Sequence, residues 1–134
     1  MKSLFIPATL AFLLGGCATQ SAQLETGKTY VVEWIGERPL IDRSHLTVTF
    51  DVDGRAYGHA GCNRWFASYE VQGKKISFGH AGSTRMMCAP ALMEQETRFL
   101  HALDAVERWD IGEHGQLHLW PQQGQPVKLF VEDR

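Results

Sequence analysis

The chain has 134 residues, with 13 Lys and Arg against 15 Asp and Glu, so its formal net charge is −2 and the two signs are mixed along its length. That balance, with no block of like charge, excludes the electrostatic footprint of a nucleic-acid binder and a polybasic run for lipid headgroups. Once a leader is set aside the remainder is enough for one domain and not for two, and a domain of that size holds a core without a metal.

The first element is the leader. Lys2 precedes Leu4, Phe5 and Ile6, the apolar character continues from Ala11 to Gly16, and Leu14-Gly15-Gly16 stands directly before Cys17. The run is shorter than the roughly 20 residues a spanning helix needs, and it has the charged start and small-residue end of a signal peptide. A leucine three places before a cysteine, with two small residues between them, is a lipobox. The expectation is therefore a signal peptide over 1–16 and a diacylglyceryl thioether on Cys17, with plain secretion and a buried amino-terminal helix as the alternatives. Ala18 rather than Asp after the cysteine favours an outer-membrane anchor facing the periplasm. Residues 17–27, with Gln20, Ser21 and Gln23 among small neighbours, read as the lipidated cysteine and a flexible tether, and the domain is expected over 28–134.

From Lys28 the rhythm is mostly period two. Tyr30, Val32 and Trp34 alternate with Val31, Glu33 and Ile35, and Leu46, Val48 and Phe50 alternate with Thr47 and Thr49, which predicts two strands. Asp53-Gly54 supplies a tight turn into a strand over Arg55 to Asn63. Ser68 to Gln72 and Lys75 to Phe78 flank Gly73 as another hairpin. Trp109 to Ile111, Leu117 to Trp120 and Val127 to Val131 form a third group, separated by Gly112, Gly115 and Gly124.

Pro90 to Glu107 breaks this rhythm. It lacks glycine, and Pro90 suits the first helical position, where its missing N–H costs nothing. At 100° per residue Leu92, Phe99, Leu103 and Val106 share a face with Leu100 at its edge, while Glu94, Thr97, Arg98 and His101 face away. The fold class expected is mainly β, a small antiparallel barrel-like sheet with one amphipathic helix packed on it. Glu96 falls on the apolar side of that helix. A buried carboxylate needs a partner, and Arg85 or Arg64 is the natural candidate; a catalytic acid is the alternative reading.

Two clusters are densest in chemistry: Gly58-His59-Ala60-Gly61-Cys62-Asn63-Arg64-Trp65-Phe66, followed by Tyr69, and Ser83-Thr84-Arg85-Met86-Met87-Cys88, just before the helix. With Gly73, Ile76, Phe78, Glu96, Phe99, Leu103 and the Leu117 to Trp120 strand, they resemble the META domain of the HslJ-like heat-inducible lipoproteins. The resemblance covers about Lys28 to Val131, with a Gly-Cys-Asn-Arg-aromatic motif and a Thr-Arg-Met-x-Cys motif at appropriate separation. It implies a small barrel-like domain with one helix, on a secreted or lipid-anchored chain. It also implies a link to heat shock and antibiotic resistance, and it brings no catalytic mechanism with it. The stretch Gly79-His80-Ala81-Gly82-Ser83 is more glycine-rich than the family pattern.

With Cys17 committed to lipid, Cys62 and Cys88 are the remaining pair, and an oxidising periplasm favours a disulfide between them. It would close a loop of about 27 residues, for which chain entropy gives about 3.5 kcal/mol. A reactive dithiol or a metal site are the competing readings, but neither Cys-x-x-Cys spacing nor further ligands accompany the pair. His114 and His118 are four apart, but Gly115 and the strand pattern around Leu117 argue against a helix that would align them; His45, His59, His80 and His101 sit in separate elements, and no Gly-x-Ser-x-Gly motif supports a nucleophile. No catalytic, cofactor or metal residue is assigned.

The residues expected to form a structural or binding motif are Asn63, Arg64, Trp65, Phe66, Thr84, Arg85 and Glu96. Asn63 is expected in a turn or left-handed conformation bonded to its own backbone, and Arg64 on a carboxylate. Trp65 and Phe66 should divide between core and surface. The function expected is a non-enzymatic envelope lipoprotein that binds an unidentified envelope protein. A small-ligand carrier or a protein inhibitor using the barrel mouth is the alternative.

Overall fold

The structure is a computed structural model, and it describes residues 3–4, 15–17 and 23–133. Most of the leader expected over 1–16, and residues 18–22 of the tether, lie outside the described residues. Cys17 is exposed with a free thiol. In chain order the elements are β1 (Thr29–Ile35), β2 (Arg38–Pro39), β3 (Thr47–Phe50), β4 (Arg55–His59), β5 (Arg64–Gln72), β6 (Lys75–Phe78), β7 (Gly82–Ser83), α1 (Pro90–Asp104), β8 (Val106–Ile111), β9 (Leu117–Pro121) and β10 (Val127–Val131).

Eight of these strands close into an antiparallel barrel in the order β1, β3, β4, β5, β6, β8, β9, β10, with β10 returning to β1 through Tyr30 opposite Val131 and Ile35 opposite Val127. Closure removes the unpaired edges that an open sheet would carry. β2 folds back on the end of β1, and β7 lies beside Trp65 and Phe66 of β5, above the point where β6 leaves it. The structure is thus mainly β with one helix packed on a closed barrel.

Alternation along the strands fills the interior. Tyr30, Val32, Val48, Phe50, Trp65, Ile76, Leu117, Leu119 and Leu129 are all essentially without solvent contact. The Phe50 ring meets Tyr30 and Tyr69 edge to face, with centroids 6.0 and 5.1 Å apart. Gly58 has a steric reason: a Cβ there would lie 2.1 Å from the Thr47 carbonyl oxygen, so β3 and β4 approach each other through it. The same carbonyl accepts the Trp65 indole N–H at 3.0 Å.

The helix is shorter than the periodicity predicts. It ends at Asp104, and Val106 and Glu107 open β8, where Val106 sits opposite Pro121. Val106 is apolar on either period, so the pattern alone extends the helix into the strand. The helix lies over the barrel end where β3, β5, β8 and β10 begin. Phe99 and Leu103 point into that end, and Phe99 packs against Trp65 with the rings 5.7 Å apart at 81°.

Packing against the barrel also starts ahead of residue 28. Leu24 packs against the core, Gly27 donates to the Phe50 carbonyl at 2.8 Å, and Lys28 pairs with Glu25.

Candidate functional site

At the helix-covered end, the turn between β4 and β5 brings Asn63 against α1 and against the segment that follows β7. Asn63 is buried and acts as a hub. Its backbone N–H donates to Glu96 Oε1 at 2.7 Å, and its side-chain Nδ2 donates to Glu96 Oε2 at 2.8 Å and to the Met86 carbonyl at 3.1 Å. Its Oδ1 accepts from the Met86 N–H at 2.6 Å and from the Thr84 hydroxyl at 3.0 Å. A side-chain amide offers two donors and two acceptor lone pairs, and all four are used here.

This arrangement corrects two expectations. Neither Arg64 nor Arg85 supplies the partner of Glu96, because both are exposed, and the carboxylate instead takes two N–H groups from Asn63. The strand pleat explains Arg64: with Trp65 turned into the core, its neighbour turns outward. Asn63 is not left-handed either. Arg43 is the only non-glycine at positive φ among the described residues, and the Asn63 amide bonds other segments rather than its own backbone.

Thr84 completes the join. Its N–H donates to the Arg64 carbonyl at 3.0 Å, and its hydroxyl oxygen accepts the Arg64 N–H at 3.1 Å. Cys62 and Cys88 form a disulfide with Cα atoms 5.9 Å apart, one residue from Asn63 at one end and two residues before Pro90 at the other. The two sequence motifs and the helix glutamate therefore meet as one internal lock. Gln95, which the helical pattern does not single out, extends it: fully buried, it accepts the Ile41 N–H at 2.8 Å and donates to the Ser44 hydroxyl at 3.0 Å.

What the lock presents outward is different chemistry. Phe66, Met86 and Met87 are 58%, 57% and 88% exposed. With Arg85, His80 and Met93 they border an open cleft of about 630 Å³. A neighbouring cleft of about 510 Å³ shares Phe66 and His80 and adds Tyr57, which stands opposite Phe66 across β4 and β5. The glycine-rich stretch before Thr84 has its reason here. A Cβ on Gly82 would fall 2.5 Å from the Phe66 ring, so the ring lies on bare β7 backbone.

A second polar cluster lies elsewhere on the barrel. Asp110 Oδ1 bonds His118 Nδ1 at 2.8 Å, the Trp120 indole donates to Asp110 Oδ2 at 2.8 Å, and Arg108 lies over the Trp120 ring at 4.8 Å. The hairpin register that puts Asp110 opposite His118 was the signal for this group. Counting spacing along the chain does not reveal it.

A family model described as META domain matches residues 22–134. A search of curated proteins gives no match. Among solved structures, the chain is similar to one described as the NMR structure of the protein from Burkholderia xenovorans, at 27% identity and a TM-score of 0.67, covering 81% of this chain and 84% of that one. A second, described as the NMR structure of the protein, shares 23% identity with a TM-score of 0.60 over 76% of this chain and 86% of that one, and speaks to the fold alone.

Proposed function

The chain belongs to the META-domain family, and we propose that it is a lipid-anchored envelope protein that works by binding another envelope protein, not by catalysis. The anchor is Cys17, in the outer membrane and facing the periplasm, and the role is in the response to heat or antibiotic stress that the family resemblance implies. The observation that carries the binding reading is the division of labour between the motif's buried and exposed residues. Asn63 and Glu96 are buried and bond each other, and the exposed Thr84 donates its hydroxyl to Asn63 Oδ1. Phe66, Met86 and Met87 stay exposed beside Arg64 and Arg85. A clustered apolar patch held on a rigid frame is the usual form of a protein-binding face.

The alternative, a carrier with its ligand in the barrel mouth, has less support. The interior is filled by aromatic and aliphatic side chains, and α1 lies over one end with Phe99 and Leu103 pointing inward. The experiment uses a photo-reactive amino acid placed in cells at Met87, or as a control at Val52, which is 83% exposed in the turn at the opposite end of the barrel. A discrete adduct from position 87 and none from position 52 is expected. Equal adducts from both positions, or none from 87, would remove the proposal.

A further inference from the structure

Every methionine after the first residue borders a single cleft. The sequence has four, Met1, Met86, Met87 and Met93, and the last three line the space between the segment after β7 and the start of α1, with His80 at its side. Among the described residues the hydrophobic core contains no methionine and is built from aliphatic and aromatic side chains. Gap-filling is the ordinary use of a thioether, and here it does not apply.

The frame beneath these sulfurs is fixed while the arms are not. Both backbone groups of Met86 are bonded to the Asn63 amide, and Met87 is followed at once by the disulfide at Cys88. Met93 lies in the first turn of α1, three residues before Glu96 and so on the same face of the helix. A methionine side chain has three rotatable bonds, so sulfurs on so closely placed backbones can converge.

We propose that this cleft binds a soft monovalent metal ion, Cu(I) or Ag(I), through the thioether sulfurs of Met86, Met87 and Met93, with the His80 imidazole as a further donor. Thioethers select soft ions and are poor ligands for Mg²⁺ or Ca²⁺, which take oxygen. The carboxylate that borders the cleft, Glu96, has both oxygens turned to Asn63. The Cys62–Cys88 bond leaves no thiolate there, so sulfur is offered as thioether. Arg85 also borders the cleft, and its charge opposes a divalent ion more than a monovalent one. The inference shares a face with the binding reading but does not depend on a protein partner.

The test uses the full-length Cys17→Ser protein, so that the exposed thiol at position 17 does not compete for the ion, with the Cys62–Cys88 disulfide intact and no thiol reductant. AgNO₃ is titrated into protein labelled at the methionine methyl groups, and Cu(I) affinity is measured against bicinchoninate under ascorbate. One ion per chain is expected, with the methyl resonances of Met86, Met87 and Met93 shifting together. The Met86→Leu/Met93→Leu chain, which keeps the apolar surface, should bind Cu(I) weaker by about tenfold or more with an unchanged melting temperature. His80→Ala and Met87→Leu, both at exposed positions, give the same reading should the double substitution unfold the chain. Static methyl resonances at one equivalent of Ag(I), or leucine variants that bind as wild type, would overturn the proposal. Loss of the position-87 adduct with the silver shifts retained would instead remove the protein-partner reading alone.

Discussion

Asn63 ties three segments with one side chain, and that concentration makes its neighbours sensitive. In Glu96→Gln one carboxylate oxygen becomes an NH₂ that faces the Asn63 donors, so one charge-assisted bond is lost and a donor is left against a donor. The expected loss is about 1.5–3 kcal/mol, seen as a lower urea midpoint with an unchanged slope. Two phenols supply a pH dependence. Burial raises Tyr30 and Tyr69 above their ordinary value of 10.0, and for Tyr69 the charges of Asp51 and Asp53 add to the effect. The folded state therefore favours the neutral phenol. Its contribution is complete below pH 10.0 and is lost as pH rises through the raised folded values. Urea unfolding from about pH 9 to pH 11 should show a fall in stability that is smaller in Tyr30→Phe and Tyr69→Phe.

Among the elements, the hairpins were legible because each carries its turn. Asp53-Gly54 and Gly73 stand where β4 and β6 begin, and Gly54 and Gly73 take positive φ. The pairings that close the barrel were not legible. β10 with β1 joins segments nearly the whole domain apart, and β6 with β8 meets at Lys75 opposite Arg108 across the helix, so neither has a local signal. The motif clusters were visible as dense chemistry. The partner of Glu96 was not, since a backbone N–H and an amide leave no mark in the spacing of charges. Gly58 marks a close approach, and its substitution tests the packing directly. Gly58→Ala should cost about 1–3 kcal/mol, because the new methyl meets first the Thr47 backbone of β3, which cannot swing aside as a side chain can. Thermal unfolding of that variant beside Ala67→Gly, where nothing new is inserted, would separate overpacking from loss of contact.

For the whole molecule, the barrel and helix form a closed body that turns Asn63 and Glu96 inward and leaves Phe66, Met86 and Met87 exposed. These two sets have separable roles, one holding the frame and the other making contact. The most direct measurement is the yield of the position-87 photo-adduct in Glu96→Gln and in Phe66→Ala, taken at a temperature where both are folded. A yield near wild type is expected in Glu96→Gln despite its lower stability, and a several-fold loss in Phe66→Ala with stability little changed. Loss of the adduct in folded Glu96→Gln, with full yield in Phe66→Ala, would show that the exposed residues do not make the contact.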